Sequence, residues 1–95
     1  MKSNEIFSVE GKVAFVTGGS RGIGEMIASA YLANGAKVYI SARKADACDM
    51  KAKELSEKYS AECISIPGDG STLKGIEKLV EELTAYESKL DILVN

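Results

Sequence analysis

The chain of 95 residues predicts an α/β fold, a doubly wound parallel sheet with helices on both faces. Two observations carry this expectation. Short runs of small and branched apolar residues alternate with stretches of helical period in the order β-α-β-α-β-α-β, the pattern of strands joined by crossover helices. The first apolar run is also followed at once by a cluster of glycines, as a sharp strand-to-helix turn requires.

Each element has its own signal. Val13 to Thr17 (VAFVT) reads as a continuously apolar strand, the kind covered on both faces. Ile23, Ile27, Ala30 and Tyr31 recur at helical spacing until Asn34-Gly35 stops the pattern. Lys37 to Ala42 (KVYISA) is a second strand. Ala45, Cys48, Ala52, Leu55 and Tyr59 form an amphipathic stripe. Glu62 to Ile66 (ECISI) is a third strand, closed by Pro67-Gly68-Asp69-Gly70; there the missing donor of the lone proline does little harm. Ser71 or Thr72 caps a third helix whose inner face is Ile76, Leu79, Val80 and Leu83. Asp91 to Asn95 (DILVN) begins a fourth strand at an open edge, and its apolar ILV calls for a cover. The chain is therefore expected to be one part of a larger domain.

Composition removes several functions. A net charge of -2 leaves no basic footprint for nucleic acid or for an anionic membrane. The absence of histidine excludes Ser-His-Asp and Cys-His chemistry and ordinary zinc sites, so no metal is expected. Cys48 and Cys63 lack metal or CxxC spacing and lie in periodic segments, which predicts buried reduced thiols. No apolar run reaches the length of a membrane span, and the polar start MKSNEIFSVEGK has no signal-peptide core. A cytoplasmic location is the expectation.

The glycine cluster carries the chemistry. Gly18, Gly22 and Gly24 let the backbone turn and let another group approach it closely. The free amides of Gly22, Ile23 and Gly24, with the helix dipole behind them, make an anion site suited to a pyrophosphate. A GxGxxG template counted from Gly22 fails at Ile27, and the Gly-Lys-Ser/Thr of a P-loop is absent. The spacing present is TGxxxGxG, at the end of a strand and the start of a helix, which points to a dinucleotide.

These residues bring a family into view. GKVAFVTGGSRGIGEMIA closely resembles the cofactor segment of the short-chain dehydrogenases/reductases, and the likeness runs on through DILVN. Of that family's NNAG motif only Asn95 is present. The resemblance implies a Rossmann-type sheet, of which residues 1–95 would be the N-terminal dinucleotide-binding part. Within the family the chain looks most like NADPH-dependent carbonyl and 3-oxoacyl reductases, including the rhamnolipid-associated type. A small carbonyl or alcohol substrate and a homo-oligomeric full-length parent would follow.

The second strand ends Ile40-Ser41-Ala42-Arg43-Lys44, with no carboxylate before Asp46. Where a carboxylate would accept from the ribose 2'-hydroxyl of NAD, Arg43 offers a donor fork suited to the 2'-phosphate of NADP. Lys44, the Ser41 hydroxyl, Arg21 and Ser20 stand ready to assist, so NADP(H) is the expected cofactor. The resemblance implies that Asp69 meets the adenine amino group and that the Gly70 backbone contacts the ring, although the family usually has Val or Leu at Gly70.

The family's acid/base pair is a tyrosine with a lysine four residues on, aided by a serine and an asparagine. Four residues beyond Tyr31, Tyr39, Tyr59 and Tyr86 stand Gly35, Arg43, Cys63 and Leu90. No catalytic residue is therefore expected in this chain, which alone would be inactive. The alternative reading is a stand-alone module that binds a nucleotide or pairs through its open sheet edge, without catalysis.

Overall fold

A computed structural model of the chain describes residues 9–18 and 22–94. Its strands are β1 (Val13–Thr17), β2 (Lys37–Ser41), β3 (Cys63–Ser65) and β4 (Ile92–Val94). Its helices are α1 (Gly22–Ala33), α2 (Ala45–Tyr59) and α3 (Leu73–Thr84). They alternate in the predicted order. The four strands form one sheet in the spatial order β3-β2-β1-β4, and every pair is parallel. β1, first along the chain, is thus central.

Alternation along β1 and β2 divides the core into two layers. Ala14 and Val16 with Val38 and Ile40 face one side, where Ala28 and Leu32 of α1 and Cys48, Ala52 and Leu55 of α2 cover them. Phe15 and Tyr39 face the other side and are covered by Leu79 and Leu83 of α3. Both faces are buried, which is why these strands read as continuous apolar runs. Tyr31 and Tyr59 pack against the first layer, as their helical spacing predicts. Cys48 and Cys63 are buried free thiols; burial pushes the Cys63 thiol up to about 12, which leaves it protonated and unreactive near neutral pH.

Three strands are shorter than the sequence predicts. β2 stops at Ser41 rather than Ala42, and β3 is Cys63–Ser65 rather than 62–66. β4 is Ile92–Val94, with Asn95 outside the described residues. The backbone stays alongside its neighbour beyond these limits. Val38 N–H donates to the Glu62 carbonyl, Ile66 N–H to Ile40 and Gly68 N–H to Ala42. Among the described residues β3 pairs only with β2, at the edge of the sheet. The apolar edge expected at β4 is present, with Leu93 52% exposed.

Of the two candidate caps for α3, Thr72 holds the position. Its hydroxyl accepts from Gly75 N–H at 3.0 Å. Ser71 is engaged elsewhere.

Candidate functional site

The strands of a parallel sheet all finish at the same end, and there the chain must turn back into helices. The three turns after β1, β2 and β3 leave a cavity of about 340 Å³ between them. Its described lining is Thr17 and Gly18 after β1, Ser41 to Arg43 at the end of β2, and Gly68 to Ser71 after β3. This is the end at which open α/β sheets bind ligands, at the volume of a small-molecule site.

The cavity floor is backbone. Gly18 N–H donates to the Ser41 carbonyl at 2.8 Å, which ties the first turn to β2. Gly18 and Gly22 have φ of +71° and +63°, a region that a side chain would strain. A Cβ at either position would meet nothing of the described chain within 4 Å. The turn itself therefore demands glycine at both positions. Gly22, Ile23 and Gly24 form the first turn of α1, with Ile23 73% exposed.

The walls are polar. Ser41 is almost wholly buried yet borders the cavity, and Arg43 stands exposed at its mouth. Asp69 faces in from the β3 side. Its Oδ1 accepts from both the backbone N–H of Ser71, at 2.9 Å, and the Ser71 hydroxyl, at 2.5 Å. These two bonds, with the Arg43 charge as a lesser contribution, hold the Asp69 carboxyl below its ordinary range. The cleft thus offers a cation on one wall and a charged acceptor on the other.

The structure brings together Gly18, Ser41, Arg43, Asp69 and Gly70 of the expected site. Lys44 lies just outside the described lining, where it forms the N-cap of α2 without a side-chain cap bond. Ser20, Arg21 and Asn95 lie outside the described residues. Thr17, Ala42, Gly68 and Ser71 also line the cavity and were not among the expected site residues. Ser71 had a signal, since Asp-x-Ser is a pattern for a side chain that bonds the backbone two residues on. Gly75 had none. A Cβ there would fall 1.8 Å from the Asp69 carbonyl oxygen, a contact visible only in three dimensions.

The family model for short chain dehydrogenase matches residues 12–95. The chain belongs to the short-chain dehydrogenase family. The rhamnolipids biosynthesis 3-oxoacyl-(acyl-carrier-protein) reductase of Pseudomonas aeruginosa is 48% identical over 89 residues, covering 94% of this chain and 34% of that protein. The solved Pseudomonas aeruginosa RhlG/NADP active-site complex superposes with a TM-score of 0.86 at 49% identity. It covers 94% of this chain and 35% of that one. L-sorbose reductase from Gluconobacter frateurii, complexed with NADPH and L-sorbose, gives a TM-score of 0.84 at 36% identity, covering 90% and 33%. This short-chain dehydrogenase sequence spans about a third of the length of the relatives it matches. Among its described residues no helix is long and apolar enough to cross a membrane.

Proposed function

We propose that residues 1–95 are the N-terminal, NADP(H)-binding part of a single Rossmann-type domain in a short-chain oxidoreductase. The parent enzyme transfers hydride between NADPH and a carbonyl or alcohol carbon, with a 3-oxoacyl compound as the favoured substrate class. That class is supported by what the Pseudomonas relative is named for.

The observation that carries the cofactor choice is Arg43 at the mouth of a cavity whose β2 wall has no carboxylate. Gly18, Gly22 and Gly24 would hold the pyrophosphate, Arg43 and Ser41 the 2'-phosphate, and Asp69 and Gly70 the adenine. Ser20, Arg21, Ile23, Lys44 and Asn95 complete the proposed set. The nicotinamide, when bound, supplies or takes up the hydride.

The residues described here bind and orient; Tyr31, Tyr39 and Tyr59 are not set up to exchange a proton with substrate, and exposed Tyr86 has Leu90, not a lysine, four residues on. Tyr39 is buried and its hydroxyl donates to Glu87 at 2.6 Å. Burial and that bond push its phenol up to about 12, out of range for acid/base work near neutral pH. Tyr31 and Tyr59 are packing residues. The isolated chain is therefore proposed to bind cofactor without turning it over.

Calorimetric titration of the chain with NADPH and with NADH tests the proposal. NADPH binding tighter by about ten- to a hundredfold is the expected result, the worth of a charged hydrogen bond. Equal affinity for both removes the 2'-phosphate role of Arg43. A folded chain that binds neither removes the nucleotide reading of the cleft.

A further inference from the structure

We infer that Ser71 is a positioning residue for adenine recognition, holding one oxygen of the Asp69 carboxylate so that the other is left to accept from the exocyclic amino group of the ring. The inference rests on the reading above, that the cleft takes NADP(H). A carboxylate has two oxygens and turns easily about its last bond, so reading one amino group calls for fixing which oxygen faces the base. Ser71 does this with two donors on the same atom, Oδ1. Among the described residues Oδ2 carries no hydrogen bond, while Asp69 itself lines the cavity.

The backbone beneath is fixed as well. The glycine at position 75 lets α3 press its first turn against the Asp69 carbonyl, where any side chain would collide at 1.8 Å. Thr72 caps that turn through Gly75 N–H. On the other side Gly70 lies against Thr17, whose Cβ would be 3.3 Å from a Cβ at position 70. Ser71 is exposed and takes no part in either buried layer. Its bonds to Asp69 are its described contribution. Those bonds also lower the Asp69 carboxyl from its ordinary range, which favours the charged, accepting form.

The test compares the affinity of the full chain for NADPH with that for its hypoxanthine analogue, in which a 6-oxo group replaces the amino group. The natural chain should prefer NADPH by about tenfold or more, because an oxygen facing the carboxylate leaves two acceptors opposed. In Ser71→Ala that preference should shrink by about threefold or more, and Ser71→Thr should restore it. Asp69→Asn should invert the preference. Ser71 keeps the amide oxygen where Oδ1 was, and so presents the amide nitrogen as a donor to the 6-oxo group.

A purely structural role for Ser71 would weaken both ligands equally in Ser71→Ala and leave their ratio unchanged; that result overturns the inference and spares the cofactor reading. The same holds if the natural chain binds NADPH but does not distinguish the analogue. A folded natural chain that binds neither brings down both. Should Ser71→Ala fail to fold, Asp69→Asn decides alone: inversion supports the inference, and a retained or absent preference overturns it.

Discussion

At the end of the sheet where the strands begin, polar side chains bond to one another; at the end where they finish, polar side chains face a cavity. Lys37, the first residue of β2, pairs with Glu87, and the same Glu87 oxygen accepts from the buried Tyr39 hydroxyl. Asp91 accepts from Val13 N–H through its side chain at 2.8 Å, while its own N–H donates to the Val13 carbonyl at 2.9 Å. Every partner there lies within the chain. At the opposite end Gly18, Arg43 and Asp69 line the cavity. If the cleft takes NADP(H) as proposed, the same sheet has one end that serves stability and one that serves a ligand, and mutations at the two ends should separate those properties.

The largest effect expected comes from a residue that serves both. Leu79 packs under Phe15 and Tyr39 and touches the site of Gly68, where a Cβ would come within 2.5 Å of it. Leu79→Ala should cost about 2–5 kcal/mol in urea unfolding and also loosen the cleft, lowering NADPH affinity. Glu87→Ala should act only on stability. It strands the Tyr39 hydroxyl in the second layer, at a cost of roughly 1–3 kcal/mol, and NADPH affinity measured by calorimetry should stay as it was. Arg43→Ala is its mirror image, weakening NADPH by about ten- to a hundredfold, with NADH unaffected and stability unchanged within about 0.5 kcal/mol. A loss of stability in Arg43→Ala, or of affinity in Glu87→Ala, would break the division between the two ends.

The smallest effects are in pH dependence. Hydrogen bonding from Val13 N–H, helped by Lys89, holds the Asp91 carboxyl below its ordinary range, and Lys37 and Tyr39 do the same for Glu87. A depressed folded value stabilises the native state above the unfolded value, near pH 4, and that stability is lost as pH falls through the folded value. Asp91→Asn should therefore flatten the acid limb of a stability profile. Tyr39 works the other way. Its phenol, raised to about 12, stabilises the fold fully below about pH 10, and this is lost as pH rises toward 12. Absorbance titration should show a late tyrosinate step that Tyr39→Phe abolishes.

The layers of the fold were legible in sequence because they rest on local periods. Ala14 to Val16 and the stripe Cys48, Ala52 and Leu55 declare their burial through spacing alone. Ala45 of that predicted stripe is instead exposed, and in α1 Ile23 and Ala30 are exposed while Ala28 and Leu32 take the buried positions. The cleft was legible as far as its turn chemistry went, at Gly18, Gly22 and the Asp69 turn. What escaped depends on residues brought together from afar. Tyr39 and Glu87 are 48 positions apart, and no periodicity links them. Gly75 looks like a poor helix former in an otherwise good helix, and only its approach to the Asp69 carbonyl explains it. The caps show the same limit, since Ser71 and Thr72 were equivalent by residue type and took different partners by geometry.

The position of β1 bears on how the fold is reached. One flank of β1 is met by the next strand along the chain, while the other waits for β4, whose approach pairs Asp91 with Val13 across 78 residues. Closing so long a loop is an entropic cost borne before its contacts form. β4 should therefore dock late, onto a βαβαβ unit already assembled, and amides at the β1–β4 seam should exchange with solvent sooner than those between β1 and β2.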